Sequence, residues 1–115
     1  MPTVLLRIFI SSTDHLKQVP LYESIVFAAK KEGLAGATVC KGILGYGASS
    51  VIHSYKFWEI SDKVPVVIEI VDEETRVRKF YESIRPQLET MRYGCLVTIE
   101  NIEVLLLKSG KIRTP

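Results

Sequence analysis

Cysteine is scarce in this chain. Its two cysteines among 115 residues, Cys40 and Cys95, are too few for a disulfide framework, and without CxxC spacing or a nearby histidine they do not suggest a metal site. They read as reduced, structural thiols. Charge of one sign is also lacking: 15 Lys and Arg against 13 Asp and Glu leave a formal +2. That is too little to steer nucleic acid from a distance, so any anion site has to be local. Long apolar runs are absent too. The longest stretch free of Asp, Glu, Lys and Arg, residues 42–55, is broken by glycines, serines and His53. It falls short of the ~18 apolar residues that a membrane span requires. Residues 1–7 show no basic region leading into an apolar stretch and a cleavage site, which makes the cytoplasm the expected location. What is present is a globular balance, 47% hydrophobic and 24% charged, at a length that suits a single domain over residues 1–115.

Residues 3–11 alternate with a period of two, Val4, Leu6, Ile8 and Ile10 on one side and Leu5, Arg7 and Phe9 on the other, which predicts a first strand. Pro20 can open a helix, because its missing N–H would have no partner in the first turn. Leu21, Ile25, Ala28, Ala29 and Glu32 then recur at helical spacing up to Gly33. A second strand is expected at 37–41 and a third over the β-branched run 66–71, with a long aperiodic loop, 46–63, between them. Asp72, Glu73 and Glu74 favour a helix start, and Val77, Phe80, Tyr81 and Ile84 supply its apolar stripe. Pro86 predicts a break after Ile84 and one further turn to about Met91. Two last strands are expected at 95–99 and 104–107, joined around Glu100 and Asn101.

This order is an α+β, ferredoxin-like split βαβ arrangement: βαββαβ plus a C-terminal strand, with both helices on one face of an antiparallel sheet. The other face carries Leu5, Phe9, Val67 and Val71 and is too apolar for water, which predicts burial by oligomerisation. Arg7, Glu69 and Glu100 lie there, either buried and paired with each other across the sheet or a subunit interface, or paired at an exposed surface.

Gly42, Gly45 and Gly47 follow a strand but precede no helix, so they fit a glycine-rich bend as well as a backbone approach to phosphate. His15 and His53 have no ligand at metal spacing. Tyr55, Phe57 and Trp58 could stack on a base or pack on the domain, and Lys108, Lys111 and Arg113 could hold phosphate or fray into solvent. The same topology serves RNA-recognition domains, but residues 66–71 contain no aromatic or basic side chain, which disfavours RNA. No nucleophile–base set, carboxylate pair or metal cluster supports an enzyme.

Gly33-Leu34-Ala35-Gly36-Ala37-Thr38-Val39 runs into Lys41-Gly42-Ile43-Leu44-Gly45-Tyr46-Gly47. His53-Ser54, Ile60-Ser61 and Val64-Pro65-Val66-Val67-Ile68-Glu69-Ile70-Val71-Asp72 follow. This combined pattern, over nearly the whole chain, resembles the PII-like superfamily, in particular its branch of unknown function related to the nitrogen-regulatory PII proteins. The resemblance implies a homotrimer whose sheets meet centrally, with a nucleotide cleft between neighbours. Its contacts would be the loop base (Gly42, Gly45, Tyr46, Gly47), the turn before the fourth strand (Arg92, Tyr93, Gly94) and the basic stretch (Lys108, Lys111). The turn holds one glycine and no lysine where PII proteins have a lysine-bearing phosphate loop. A less charged ligand such as AMP or a cyclic nucleotide is therefore expected in preference to ATP, with no obligatory cofactor. The resemblance thus implies a cytoplasmic signalling protein, not an enzyme, that reaches a protein target through loop 46–63. A small trimeric enzyme or metal-handling protein using His53 is the alternative.

Overall fold

A computed structural model describes residues 2–46, 53–54, 64–91 and 94–110. The strand β1 (Thr3–Ser11) leads through a small ribbon, β2 (His15–Leu16) and β3 (Val19–Pro20), into α1 (Leu21–Lys31). After β4 (Ala37–Lys41) a second ribbon forms from β5 (Leu44–Gly45) and β6 (His53–Ser54). Then come β7 (Pro65–Glu73), α2 (Glu74–Thr90) and β8 (Leu96–Ile102). The main sheet has the order β4-β7-β1-β8 and is antiparallel throughout. This is the α+β, ferredoxin-like arrangement expected from the sequence.

Period-two alternation decides which face is covered. Val4, Leu6, Ile8 and Ile10 of β1 are buried beside Val66, Ile68 and Ile70 of β7, with Ile8 directly opposite Ile68. Leu21, Ile25 and Ala29 of α1 and Val77, Phe80, Ile84 and Leu88 of α2 close over them. Pro20 sits at the N-cap of α1, and Lys30 and Lys31 lie in its last turn, where the helix dipole favours cations. The helix stops in a Schellman motif: Gly33, at φ +83°, donates its N–H to Lys30 O, and Leu34 N–H donates to Ala29 O. Leu34 then packs into the core beside Ala29.

Two expectations are corrected. The break at Pro86 does not occur: α2 runs from Glu74 to Thr90 through the proline. A proline inside a helix costs ~3 kcal/mol, but burying Leu88 alone returns about 1.5–3 kcal/mol, and Leu88 reaches the core only if the helix continues. Pro86 faces solvent, Arg85 bridges it with ion pairs to Glu82 and Glu89, and Thr90 Oγ1 donates to Pro86 O. The second correction concerns the C-terminal strand. Glu100 and Asn101 are not a joint; they lie inside β8, and residues 104–107 are not in a strand. The reason is register. Ile102 is already opposite Thr3, where β1 begins, so the chain beyond it has no strand to pair with.

Candidate functional site

The base of loop 46–63 is where the sequence placed a phosphate approach, and there the glycines meet a proline. Gly42 N–H donates to Pro65 O at 2.7 Å, and a Cβ on Gly42 would lie 2.8 Å from Pro65 Cγ. At Gly45 the same approach would be 3.3 Å. Both glycines let the outgoing chain lie against the start of β7. Ser12 fastens the returning chain from the other side: its N–H donates to Val64 O at 3.0 Å, and its Oγ accepts from Val64 N–H at 3.1 Å. Beside this clasp the Lys41 ammonium stands 5.7 Å from the centre of the Tyr22 ring.

Topology then separates the expected contact residues. Gly42, Gly45 and Tyr46 follow β4, and Gly94 precedes β8, so all four lie at the sheet end where β7 begins. However, β4 and β8 are opposite edges of a four-stranded sheet, about 14 Å apart at ordinary strand spacing. The chain leaves β8 at the other end, where Ile102 lies opposite Thr3, separated from the Gly42 end by the length of β1, about 27 Å, and Lys108 follows beyond it. Within one copy Gly42 and Gly45 do not converge with Gly94. Gly47, Arg92, Tyr93 and Lys111, and with them Trp58 and most of loop 46–63, lie outside the described residues.

The uncovered sheet face carries the expected charged set, paired within the chain. Arg7 Nε donates to Glu69 Oε2 at 2.9 Å directly across the β1–β7 pair, and Arg7 Nη1 donates to Glu100 Oε1 at 2.6 Å. The Glu69 hydrogen bond, ahead of the pull of both carboxylates, raises the guanidinium pKa above its ordinary value. Leu5, Phe9, Val67 and Val71 flank this row, all half-buried.

Several polar groups outside the expected contact set are structural. Asp14, 5% exposed, accepts Ser11 N–H on Oδ2 at 2.8 Å, and its main-chain oxygen accepts Leu21 N–H, joining the end of β1 to the start of α1. Asp72 accepts Ala35 N–H at 2.9 Å and pairs with Arg76, whose Nη2 donates to Gly33 O. Only a Ser-Ser-Thr-Asp turn signature hinted at the first; nothing local announced the second. Burial, followed by the Asp14 charge, pushes the Cys95 thiol pKa up, while Cys40 is exposed on the open face. His15 lies in the β2–β3 ribbon with Nδ1 2.5 Å from Thr13 O. Among the described residues no three His, Cys, Asp or Glu side chains gather as a metal site, and no helix is long and apolar enough to cross a membrane.

The fold is that of PII-like proteins. CPII, a nitrogen regulatory PII-like protein from Thiomonas intermedia K12, solved with ADP, AMP and bicarbonate, superposes with a TM-score of 0.69 at 18% identity, covering 90% of this chain and 89% of CPII. Its apo form superposes at 0.58 and 17% identity, over 90% and 92% of the two chains. Residues 3–104 match the DUF190 family, described as uncharacterized ACR, COG1993, and the chain belongs to that family. A UPF0166 protein of Aquifex aeolicus is 38% identical over 103 residues, 90% of this chain and 93% of the relative. The UPF0166 protein MJ1524 of Methanocaldococcus jannaschii is 36% identical over 85 residues, 70% and 78% of the two.

Proposed function

We propose that this protein is a PII-like regulator, a cytoplasmic homotrimer that binds an adenine nucleotide between neighbouring copies and presents loop 46–63 to a protein target. The observation that carries this reading is the likeness of the whole fold to CPII, a protein solved with ADP and AMP. The separation of the contact residues supports the intersubunit part. Gly42, Gly45 and Tyr46, Gly94, and Lys108 occupy three distant places on one chain, and neighbours around a threefold axis are the simplest way to bring such places together. An open face of Leu5, Phe9, Val67 and Val71 supports association of the sheets. AMP is preferred over ATP because residues 91–95 offer one arginine and no lysine for phosphate charge.

Calorimetry of the full chain with AMP, ADP and ATP tests the reading directly. AMP is expected to bind tightest, without turnover, and Arg92→Ala or Lys108→Ala is expected to cost about 1.5–3 kcal/mol, the worth of a hydrogen bond to a charged group. Unchanged affinity in both variants would remove the assigned phosphate contacts. Hydrolysis of the nucleotide would favour an enzyme.

A further inference from the structure

The helix side of the sheet carries a groove that nucleotide binding at the loop base leaves unused. It lies between the end of α1 and the first half of α2, measures about 340 Å³ and is lined by Glu32, Leu34, Arg76 and Lys79. That volume falls at the small end of the ~300–1,000 Å³ of small-molecule sites. α2 follows Glu73, at the end of β7 away from the Gly42–Pro65 clasp, so the groove is separate from the loop base. One wall is fixed. Asp72, its side chain 8% exposed, accepts the N–H groups of Ala35 and Glu73 at 2.9 and 2.7 Å and stands 3.5 Å from Arg76 Nη1. Arg76 Nη2 donates to Gly33 O. The guanidinium is held in place with donors to spare, since it carries five N–H groups. Opposite it, Glu32 Oε2 accepts the Ser83 hydroxyl at 2.9 Å. Lys79 makes no ion pair among the described residues, whereas Arg78 and Arg85 on the same helix are paired with Glu74, Glu82 and Glu89.

We propose that this groove binds a free amino acid with an acidic side chain, of which glutamate is the best fit. The signs of the charges carry the argument. Two cations and one carboxylate line the groove. A plain anion would leave Glu32 facing it without a partner, whereas a zwitterion with a second carboxylate matches the lining group for group. The order of the charges matches as well. Arg76, Lys79 and Ser83 lie on one stripe of α2 at steps of one turn, ~5 Å each. Ser83 anchors Glu32, so the stripe runs positive, positive, negative. Glutamate offers its partners in that sequence: a side-chain carboxylate for Arg76, an α-carboxylate for Lys79 and an α-ammonium for Glu32. Its methylenes lie over Leu34, the apolar residue of the lining. A guanidinium already held in place pairs with a carboxylate more strongly than with a neutral amide, which sets the preference for an acidic side chain.

Calorimetry of the full-length protein with L-glutamate is the test. Saturable binding of one glutamate per chain is expected. Glutarate, which lacks the ammonium, and glutamine, which lacks the second carboxylate, should each bind at least tenfold more weakly. Lys79→Met should weaken glutamate at least tenfold and, because Lys79 is exposed and unpaired, leave thermal unfolding unchanged. Glu32→Gln keeps an acceptor for Ser83 and should bring glutarate level with glutamate, a change of selectivity that misfolding would not produce. The absence of saturable binding to the wild type, or glutarate binding as tightly as glutamate, would overturn the proposal. So would an affinity unchanged by Lys79→Met, or one abolished by Arg92→Ala, which would move the ligand to the nucleotide contacts.

Discussion

The two faces of the sheet are made from the same strands and the same kinds of residue, yet they are finished differently. On one face Val4, Leu6, Ile8, Val66, Ile68 and Ile70 meet two helices and are almost wholly withdrawn from water. On the other, Leu5, Phe9, Val67 and Val71 remain half-exposed around the Arg7–Glu69–Glu100 row, with no helix or strand of the described residues above them. The covered face needs no polar group because the helices fix its geometry through shape. The open face places an arginine between two carboxylates, each satisfied within the chain. A surface of this kind remains tolerable in water while fixing the register of whatever covers it, since displaced charges would lose their partners. The comparison teaches that folding accounts for the burial of one sheet face, and that the other is left for the association proposed above.

The largest effect expected from that division is at Phe80, which is 0% exposed against the covered face. Phe80→Ala should destabilise the protein by about 3–5 kcal/mol through lost burial and a residual cavity, seen as a lower denaturant midpoint at every protein concentration. Phe9→Ala, on the open face, should shift the midpoint mainly by weakening association, so its effect should fade on dilution below the dissociation constant. Equal, concentration-independent losses would break the comparison. A smaller effect is expected at the loop base. Gly42→Ala forces a methyl to 2.8 Å from Pro65 Cγ and should cost about 1–3 kcal/mol by overpacking. Gly36→Ala, where nothing lies within 4 Å, should be close to neutral. Thermal unfolding of the two variants side by side checks this, and Pro65→Ala should relieve much of the Gly42→Ala loss.

Much of the covered face was legible because burial leaves a period in the sequence. Two on β1 and near four on α1 were enough to place those elements within a residue or two, and on α2 to place its start. Pro86 misled because local backbone preference is outweighed when Ile84 and Leu88, on either side of it, both reach the core. The apolar run 104–107 reads as a strand by composition, and only the register of Ile102 against Thr3 shows that no pairing partner is left. The steric need for glycine at 42 and 45 comes from Pro65, far along the chain, so the motif read equally well as a bend or a phosphate approach. Likewise Gly94 and Lys108 could be named as contacts by resemblance, but their places at the far edge and far end of the sheet follow from strand order, which residue patterns alone do not encode.

The smallest and most discriminating perturbation is chemical, because the chain carries one thiol for each kind of environment. Cys95 is half-buried with its thiol toward Leu88 O, and burial followed by the negative charge of Asp14 raises its pKa. The reactive species is the thiolate, so at a fixed mildly alkaline pH Cys95 should react more slowly with a disulfide reagent than a free thiol, and its rate should rise only at higher pH. The linked effect on stability has the same sign: the folded state favours the neutral thiol. Stability should therefore hold below the thiol's unfolded pKa and decline as pH rises through the folded one. Cys40, in contrast, sits opposite Val67 on the open face. In dilute protein it should react quickly, and at concentrations where copies associate through that face it should be protected while Cys95 stays slow throughout. A Cys40 rate independent of protein concentration would mean that the open face stays open and that the Arg7 row orders nothing beyond its own sheet.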